Sequence, residues 1–395
     1  MSARQCDCSI IIPTRNRREV LIETLQRVSA LSDCSFEIIV CDNGSTDGTL
    51  DLTERFPDVH WIALGENLGC AARNIGAVAA RGWLLLMLDD DSWPEEGVIS
   101  QLVQRFRTQL DLGAAALRVR LANPPHHHDA GGCPGVFFNC GGAVRRSAFL
   151  EAGGFPIDYE YYVEEYGLCC RLWRGGWRVR RQGDLVVTHA RVSRNRDNDR
   201  MLRLLVRNNL RLWNRYAPPS LRQDLFDSTI ERYYRVALKE RALDGYNAGL
   251  REGRAVLAPR LSDASLSLRQ FESLMGIDLA REEIARWADK HRAKCVGLWG
   301  RGKSAEFVID LLKTSGIRIA AVYDEVDRPD VWRGCALRNR SQFKSADIDG
   351  LVIGSLSCGV AEDQRDALAR DLPGLPILAP VCYGSSSSPP AAIPA

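Results

Sequence analysis

The chain has 395 residues, a formal net charge of +2, 45% hydrophobic residues and 26% charged residues. These values are ordinary for a globular protein, and they exclude binding to nucleic acid through bulk charge, so we expect no nucleic-acid partner. A chain of this length exceeds one comfortable hydrophobic core. We therefore expect two domains joined by a helical link.

Thirteen cysteines are scattered along the chain, without the CxxC spacing that indicates a zinc or thiol-redox site. The start, MSARQCDC, lacks the apolar region of a signal peptide. The apolar runs are far shorter than the roughly 20 residues that cross a bilayer. We expect reduced thiols, no transmembrane helix and a cytoplasmic location, with peripheral contact at the inner face of the membrane left open.

The first 90 residues alternate between strand and helix patterns. Apolar runs predict strands at 8–14, 36–42, 60–64 and 83–90, and helical spacing predicts helices at 17–31, 49–56 and 67–82. Strands joined by helices of this length form right-handed crossovers in a mostly parallel sheet flanked by helices. Ligands of such sheets bind beyond the carboxyl ends of the strands. Those ends carry Pro13, Thr14, Asp42 and Asp89–Asp91.

After residue 113 the pattern is less regular. It predicts strands at 113–121, 137–146 and 178–190, and a short helix at 161–177. Residues 196–290 have helical patterns, and a new alternation of strands and helices follows. We expect an α/β domain at 1–195, a helical segment at 196–290, a smaller C-terminal Rossmann-like α/β domain at 291–384 and a disordered tail at 385–395.

Three consecutive aspartates, Asp89, Asp90 and Asp91, follow the apolar run LLLML. In an extended segment Asp89 and Asp91 would point to the same side, and two carboxylates with substrate phosphates suit Mg²⁺. The alternative is a cap cluster before a helix that begins near Pro94. The residues alone favour the cap.

Other acidic and histidine side chains have both a structural and a functional interpretation. Asp42 follows a strand and fits either a turn or a contact to a nucleobase. Glu164 and Glu165 begin a predicted helix, where acids are favoured by the helix dipole or serve as a general base. His189 ends a strand and fits a structural role or a third metal ligand. The run His126–His128 indicates a solvated or acceptor-side loop rather than a metal site.

The predicted helix at 196–215 places arginines on one face, and these are Arg196, Arg200, Arg203, Arg207 and Arg211. We favour a packing helix whose polar face is solvated. The alternative is contact with an anionic membrane that carries a lipid-linked acceptor.

The motifs, taken in order, resemble those of family 2 glycosyltransferases. They are SIIIPTRNR, IVCDNGSTDGT, ENLGCAARNIGAVAARG, LLLMLDDDSWPE, CGGAVRR, YYVEEYGLCCRLWRGGW and THA. The resemblance covers about residues 7–190. It implies a GT-A-type fold and an inverting nucleotide-sugar enzyme, with the catalytic domain at 1–195.

The resemblance also implies roles for residues. Glu165 would be the catalytic base and Glu164 would orient the acceptor. Asp91, the likelier direct ligand in the pattern, would hold the metal with Asp89 and His189. The nucleotide and donor set would be Pro13, Thr14, Arg15, Asp42, Arg73, Asn74, Asp89, Asp90, Gly141 and Gly142. Arg171 matches an arginine of the helix pattern. Gly167 replaces a further acid of the family pattern, and we expect it to break the helix and alter the acceptor pocket.

The implied reaction moves a sugar from a nucleoside diphosphate sugar to a hydroxyl or amine, with Mg²⁺ or Mn²⁺ as the cofactor. The acceptor would be a small molecule, a glycan or a lipid-linked molecule, and a homo-oligomer is left open. Two alternatives remain: a non-catalytic scaffold of the same fold, and a bifunctional enzyme whose C-terminal domain binds a dinucleotide.

A second glycine-rich turn follows a strand near residue 299. Gly300 and Gly302 precede a helix, and Asp324 ends the next strand, which is the context of a dinucleotide fingerprint. These residues define a candidate second nucleotide site. Because fold does not imply function, an assembly or acceptor-recognition module is the favoured interpretation of this domain.

Overall fold

We describe the fold from a computed structural model that covers residues 6–124, 127–129, 132–192, 197–255 and 264–382. Predictions for His126, Arg196 and the tail at 385–395 lie outside the described residues. The chain divides into two compact units. The first contains residues 1–126 and 136–271, and the second contains 127–135 and 272–395. The predicted boundaries at 195 and 290 stay predictions.

The first unit is built on eight strands and most of the helices. Its strands are β1 (Cys8–Thr14), β2 (Phe36–Asp42), β3 (His60–Ala63), β4 (Leu84–Met87), β5 (Ser92–Pro94), β6 (Leu112–Leu121), β7 (Gly142–Arg145) and β8 (Arg178–His189). The helices among them are α1 (Arg18–Ser29), α2 (Leu52–Arg55), α3 (Ala72–Ala79), α4 (Val98–Thr108), α5 (Arg146–Glu151) and α6 (Glu164–Arg174).

The eight strands form one sheet in the order β3-β2-β1-β4-β7-β6-β8-β5. Strands β3, β2, β1 and β4 are parallel neighbours, whereas β7 is antiparallel to both β4 and β6. Thr14 is in register with Asp42, so the two strand ends lie side by side. The predicted α/β class with a largely parallel sheet flanked by helices is confirmed.

Strand alternation explains the core of this unit. Ile10 and Ile12 of β1 pack with Val40 of β2 and Leu86 of β4 on one face of the sheet, where helix α1 contributes Leu25. Successive strand residues point to opposite faces, and a parallel sheet is buried on both, which accounts for the continuous apolar runs.

Helices α7 (Asn198–Tyr216), α8 (Arg222–Glu240) and α9 (Leu243–Ala255) follow the sheet in the chain. Leu202, Val206 and Leu210 of α7 are buried against α8 and α9. Glycines let α7 and α9 approach closely, because a Cβ at Gly249 would lie 2.4 Å from the carbonyl oxygen of Arg203. This close backbone approach holds α7 firmly against α9.

The second unit contains a smaller sheet. Its elements, with α10 at the junction, are α10 (Leu268–Met275), α11 (Ile277–His291), β9 (Cys295–Trp299), α12 (Ala305–Thr314), β10 (Arg318–Asp324), β11 (Asp330–Trp332), β12 (Cys335–Asn339), β13 (Gly350–Ile353), α13 (Cys358–Asp371) and β14 (Ile377–Leu378). The strand order is β11-β12-β10-β9-β13-β14, and only β11 is antiparallel to its neighbour. The smaller α/β sheet is confirmed, and its Rossmann-like character stays a prediction.

Two local predictions about helices are wrong. No helix begins near Pro94, because Ser92–Pro94 forms strand β5 and α4 begins at Val98. Helix α6 is also unbroken at Gly167, where a Cβ would lie only 2.8 Å from Cγ of Pro156. The close approach of Pro156 therefore explains why a glycine occupies position 167.

Two further observations concern the whole described chain. Within the part of the chain that the structure describes, none of the thirteen cysteines is joined in a disulfide. Among the described residues, no helix has both the length and the apolar character needed to span a membrane.

Candidate active site

The three aspartates lie in a tight turn rather than in an extended segment. Strand β4 ends at Met87, and the backbone N–H of Ser92 donates to the carbonyl oxygen of Asp89 at 3.1 Å. The Ser92 hydroxyl oxygen accepts from the backbone N–H of Asp89 at 2.9 Å. The strand predicted to reach residue 90 is therefore too long. The turn places three carboxylates at the carboxyl edge of the sheet, beside the ends of β1 and β2.

Asp91 contacts the strand that carries His189. Ser92 of β5 pairs with His189 of β8, and His189 Nε2 lies 3.1 Å from Asp91 Oδ1. The other carboxylate oxygen accepts from the backbone N–H of Val192 at 3.0 Å and from Arg17 Nη2 at 2.7 Å. Burial raises the pKa of Asp91, but the hydrogen bond and charge of His189, together with Arg17, outweigh it, so the net pKa is lowered. Asp91 is thus held as a carboxylate.

Asp89, Asp91 and His189 could hold a metal ion. One ligand atom from each of the three lies within 4.8 Å of the other two. Two carboxylates and an imidazole form a donor set that suits Mn²⁺, and Mg²⁺ with added water or phosphate oxygens. The residues present therefore fit a divalent cation.

Asp90 ties the turn to the first strand and helix. Its carboxylate accepts from Thr14 Oγ1 at 2.8 Å and forms an ion pair with Arg17 Nε at 2.8 Å. Its carbonyl oxygen accepts from Thr24 Oγ1 at 2.7 Å. Burial, partly offset by Arg17, raises the pKa of Asp90 to about 7. These contacts make Asp90 a supporting residue of the aspartate turn, and its predicted nucleotide contact stays a prediction.

Arg73 connects the aspartate turn to a buried polar cluster. Its side chain is 1% exposed, forms an ion pair with Asp89 and donates to the carbonyl oxygen of Leu88 at 3.1 Å. Its other terminal nitrogen lies 3.7 Å from Cys70 Sγ. The guanidinium therefore balances charge behind Asp89, and the predicted contact of Arg73 with a nucleoside stays a prediction.

The acidic pair lies at the first turn of α6. Asn139 Nδ2 donates to Glu164 Oε1 at 2.9 Å, and the other oxygen, Oε2, is buried and has no hydrogen-bond partner within the described structure. Burial raises the pKa of Glu164. Burial and the neighbouring charge of Glu164 both raise the pKa of half-buried Glu165. A carboxyl group with a raised pKa is a better general base near neutral pH than an ordinary one.

Asp42 offers an acceptor atom at the end of β2. The residue is 1% exposed, and its Oδ2 accepts from the backbone N–H of Ser45 at 3.0 Å. Its Oδ1 is buried and has no partner among the described residues. Pro13 is half-buried and Arg15 is exposed at the end of β1. The arrangement leaves a carboxylate oxygen of Asp42 available to a ligand N–H.

Three residues of the predicted donor set have packing roles in the structure. Asn74 exchanges hydrogen bonds with the backbone of Phe155, at 3.0 Å and 2.8 Å. A Cβ at Gly141 would lie 2.7 Å from Val119, and a Cβ at Gly142 would lie 2.1 Å from the ring of Phe137. These contacts explain the residue types without a ligand, and the donor roles stay predictions.

Sequence reasoning missed three residues of this region: Arg17, Asn139 and Cys70. Arg17 bridges Asp90 and Asp91, whereas the resemblance pointed to Arg15 in the same loop. Asn139 contacts Glu164 and Cys70, which are 25 and 69 positions away in the chain, and Cys70 contacts Arg73 one helical turn further on. Of these three residues, only Arg17 could have been suspected from the sequence, because it lies three positions after the end of β1.

Two side chains that were predicted to lie on solvated surfaces, those of His128 and Arg207, are enclosed in the structure, whereas His127 and Arg200 of the same predicted surfaces are exposed. The side chain of His128 is 8% exposed, with Nδ1 2.7 Å from Asp363 Oδ1 and Nε2 3.3 Å from Glu362 Oε2. In the arginine-rich helix, Arg207 is 5% exposed and pairs with Glu160 at 2.7 Å. Both side chains are held by carboxylates in the fold, and this explains why they are not solvated.

The candidate second nucleotide site has internal ion pairs. Gly300 has a φ of +81°, which favours glycine, and a Cβ at Gly302 would lie 2.7 Å from the carbonyl oxygen of Gly354. Arg301 Nε lies 2.7 Å from Asp324 Oδ2, the carboxylate that would contact a ribose. Nucleotide binding here stays a prediction.

The coupling between Glu164 and Glu165 predicts a pH effect. Replacing Glu164 by glutamine removes a negative charge, so ionisation of Glu165 becomes easier and its pKa falls toward the ordinary value of 4.5. We expect the acidic limb of a kcat–pH profile to move to lower pH in E164Q. The limb should not move in E54Q, whose glutamate is exposed on α2. An unchanged or higher limb in E164Q would contradict this coupling.

Comparisons with known proteins agree with the motifs. The family model described as "Glycosyl transferase family 2" matches residues 9–127. An Escherichia coli relative named UDP-Glc:alpha-D-GlcNAc-diphosphoundecaprenol beta-1,3-glucosyltransferase WfaP is 31% identical over 98 residues, which are 24% of this chain and 39% of the relative. The N-acetylglucosaminyl-diphospho-decaprenol L-rhamnosyltransferase of Mycobacterium tuberculosis is 25% identical over 39% of this chain and 66% of its own.

A solved structure is also similar. It is the mannosyltransferase PcManGT from Pyrobaculum calidifontis in complex with GDP-Man and Mn²⁺, with a TM-score of 0.44 and 21% identity over 70% of this chain and 81% of that one. The matches to the first sequence relatives cover 40% and 29% of their lengths. The chain thus shares less than half of these relatives' length.

Proposed function

Because the chain belongs to glycosyl transferase family 2, through residues 9–127, we propose that it transfers a sugar from a nucleoside diphosphate sugar to an acceptor hydroxyl or amine. The observation that carries the proposal is the cluster of Asp89, Asp91 and His189 at the strand ends. A paired carboxyl site, Glu164 and Glu165, accompanies it in the same unit. The proposed acceptor is a small molecule, a glycan or a lipid-linked diphosphate, the last because two relatives are named for such acceptors.

The donor would be held through its base and its diphosphate. Asp42 Oδ1, buried and without a partner among the described residues, would accept a hydrogen bond from a nucleobase N–H. A buried acceptor without a partner costs free energy, so a ligand that supplies a donor is favoured there. Asp89, Asp91 and His189 would hold Mg²⁺ or Mn²⁺. The ion, when bound, supplies positive charge to the leaving diphosphate.

Glu165 would act as the general base. Its carboxylate takes the proton of the acceptor group while the acceptor oxygen or nitrogen forms a bond to the anomeric carbon. The bond between that carbon and the diphosphate oxygen breaks, and the nucleoside diphosphate leaves with the electron pair. One displacement from the opposite face inverts the anomeric configuration, and no covalent enzyme intermediate is needed.

The function is tested with the full chain and a panel of UDP, GDP, dTDP and CDP sugars. We expect slow sugar-nucleotide hydrolysis with Mn²⁺ or Mg²⁺ for one member of the panel, and a matching rise in melting temperature. EDTA should abolish the hydrolysis, and added Mn²⁺ should restore it. Hydrolysis that persists in EDTA would contradict the metal role. No hydrolysis and no binding for any donor would support a non-catalytic scaffold and overturn the proposal.

A further inference from the structure

The segment at 159–163, directly before Glu164, has an unusual backbone. Glu160, Tyr162 and Val163 have φ values of 61°, 67° and 71°, in the left-handed region that favours glycine. Such a conformation is uncommon for ordinary residues and is an outlier for a β-branched one such as valine. It persists only where surrounding contacts impose it, and such sites cluster around function. The contacts that impose it here come from α7.

One side chain of α7 collects the carbonyl groups of this segment. Asn208 is fully buried, and its Nδ2 donates to the carbonyl oxygens of Tyr159 at 2.8 Å, Tyr161 at 2.9 Å and Tyr162 at 2.9 Å. An amide group has two N–H donors, so at least one is shared between two carbonyls. Three carbonyls that face one nitrogen fix the path of the segment.

Arg207 completes the contact and orients the amide. Its Nε donates to Asn208 Oδ1 at 3.0 Å, which turns the NH₂ group toward the carbonyls. Its Nη2 donates to the carbonyl oxygen of Tyr159 at 3.0 Å, and its Nη1 donates to Glu160 Oε1 at 2.7 Å. Burial opposes ionisation of Glu160, but Arg207 lowers its pKa overall, so the pair is charged.

The same segment also borders the donor side of the site. The carbonyl oxygen of Glu160 accepts from the backbone N–H of Cys70 at 3.1 Å. A Cβ at Gly69 would lie 2.4 Å from that oxygen, which leaves room only for glycine. Movement of residues 159–163 would therefore disturb both the acidic pair, Glu164 and Glu165, and the turn at Gly69 and Cys70 that precedes Arg73.

We propose that Asn208 and Arg207 are positioning residues, which hold residues 159–163 so that Glu165 meets the acceptor. The proposal rests on the proposed function of Glu165 as the base. Neither residue contacts the reacting atoms, and both act through the backbone that leads into α6. We call the contacts of Asn208 and Arg207 with residues 159–163 the clamp. Helix α7, which carries both residues, is itself fixed by close packing with α9.

The test compares N208A with N209A in the full chain. Asn209 is the next residue of α7, and its Nδ2 contacts the carbonyl oxygen of Leu205 and the hydroxyl of Tyr233, not the segment. We expect kcat to fall about 10–100-fold in N208A, since a displacement of about 1 Å costs about 10²-fold. Affinity for the nucleoside diphosphate with Mn²⁺ should stay within about twofold of wild type. N209A should keep wild-type kcat.

Hydrogen exchange supplies a readout that does not depend on activity. Amides of residues 160–165 should exchange faster in N208A than in wild type or N209A. A folded N208A with wild-type kcat and wild-type exchange would overturn the proposal, as would equal losses in N208A and N209A. If the wild-type protein transfers no sugar, the proposed function fails. The exchange experiment still shows whether Asn208 holds the backbone of residues 160–165.

A second variant covers the case in which N208A does not fold. R207K keeps the positive charge beside Glu160 but lacks the planar group that contacts both Asn208 and Tyr159. We expect about a tenfold loss of kcat, with nucleotide affinity unchanged and faster exchange confined to 160–165. Wild-type kcat and exchange in folded R207K would overturn the proposal.

Discussion

Replacing Glu165 by glutamine is expected to lower kcat by about 10²–10⁴-fold, the usual contribution of a general base. Glutamine has the size of glutamate but cannot take a proton from the acceptor. Binding of the nucleoside diphosphate with Mn²⁺ should be almost unchanged, because the site of Asp89, Asp91 and His189 is intact. Initial rates and calorimetric titration measure the two quantities.

The matched control for E165Q is E54Q, because Glu54 is an exposed residue of α2. E54Q should keep wild-type turnover and melting temperature. A folded E165Q protein with wild-type kcat would remove Glu165 from the mechanism. A parallel drop in nucleotide affinity would instead point to a structural role of this side chain.

Replacing Asp91 by asparagine is expected to lower metal-dependent turnover by about 100-fold or more. Metal-assisted charge stabilisation is worth several kcal/mol, and each ~1.4 kcal/mol corresponds to a factor of ten. The substitution removes the charge that faces His189 and Arg17, but an amide oxygen still accepts from Val192. Turnover measured against Mn²⁺ concentration should show a weaker apparent affinity for the ion.

D58N provides the control for the aspartate, because Asp58 is exposed. It should behave as wild type in turnover and in Mn²⁺ titration. The metal assignment fails if D91N titrates with Mn²⁺ as wild type does. If D91N melts much earlier than wild type, the Mn²⁺ titration of folded protein at low temperature still separates the ion from the fold.

The strand cores were predictable because apolar runs mark them directly. The runs at 8–14 and 36–42 are β1 and β2 as they stand. The aspartate turn was less predictable, since its geometry depends on the Ser92 backbone and side chain closing onto Asp89. Local sequence identified the carboxylates, and tertiary contacts decided how they point.

The missed contacts have a common physical reason. Arginine spacing on α7 indicates a shared helix face but does not say what covers it, and for Arg207 the cover is Glu160 and Tyr159. The short hairpin of β11 and β12 was not predicted from the sequence. Its turn, Arg333-Gly334, has the positive φ values of 52° and 71° that a two-residue hairpin turn requires, but its first residue is an arginine and not the usual asparagine, aspartate or glycine.

The membership of residues 127–135 in the second unit has a consequence for how the chain is made. The backbone N–H and Nδ1 of His128 meet Asp363, which lies 235 positions later in the sequence. During synthesis this segment emerges long before its partners, so the second unit completes its fold only after α13 has left the ribosome. Closing so long a loop carries an entropic cost and slows folding. A chain shortened before α13 would leave His128 without the carboxylates of Glu362 and Asp363, so such a truncation would disrupt the second unit itself.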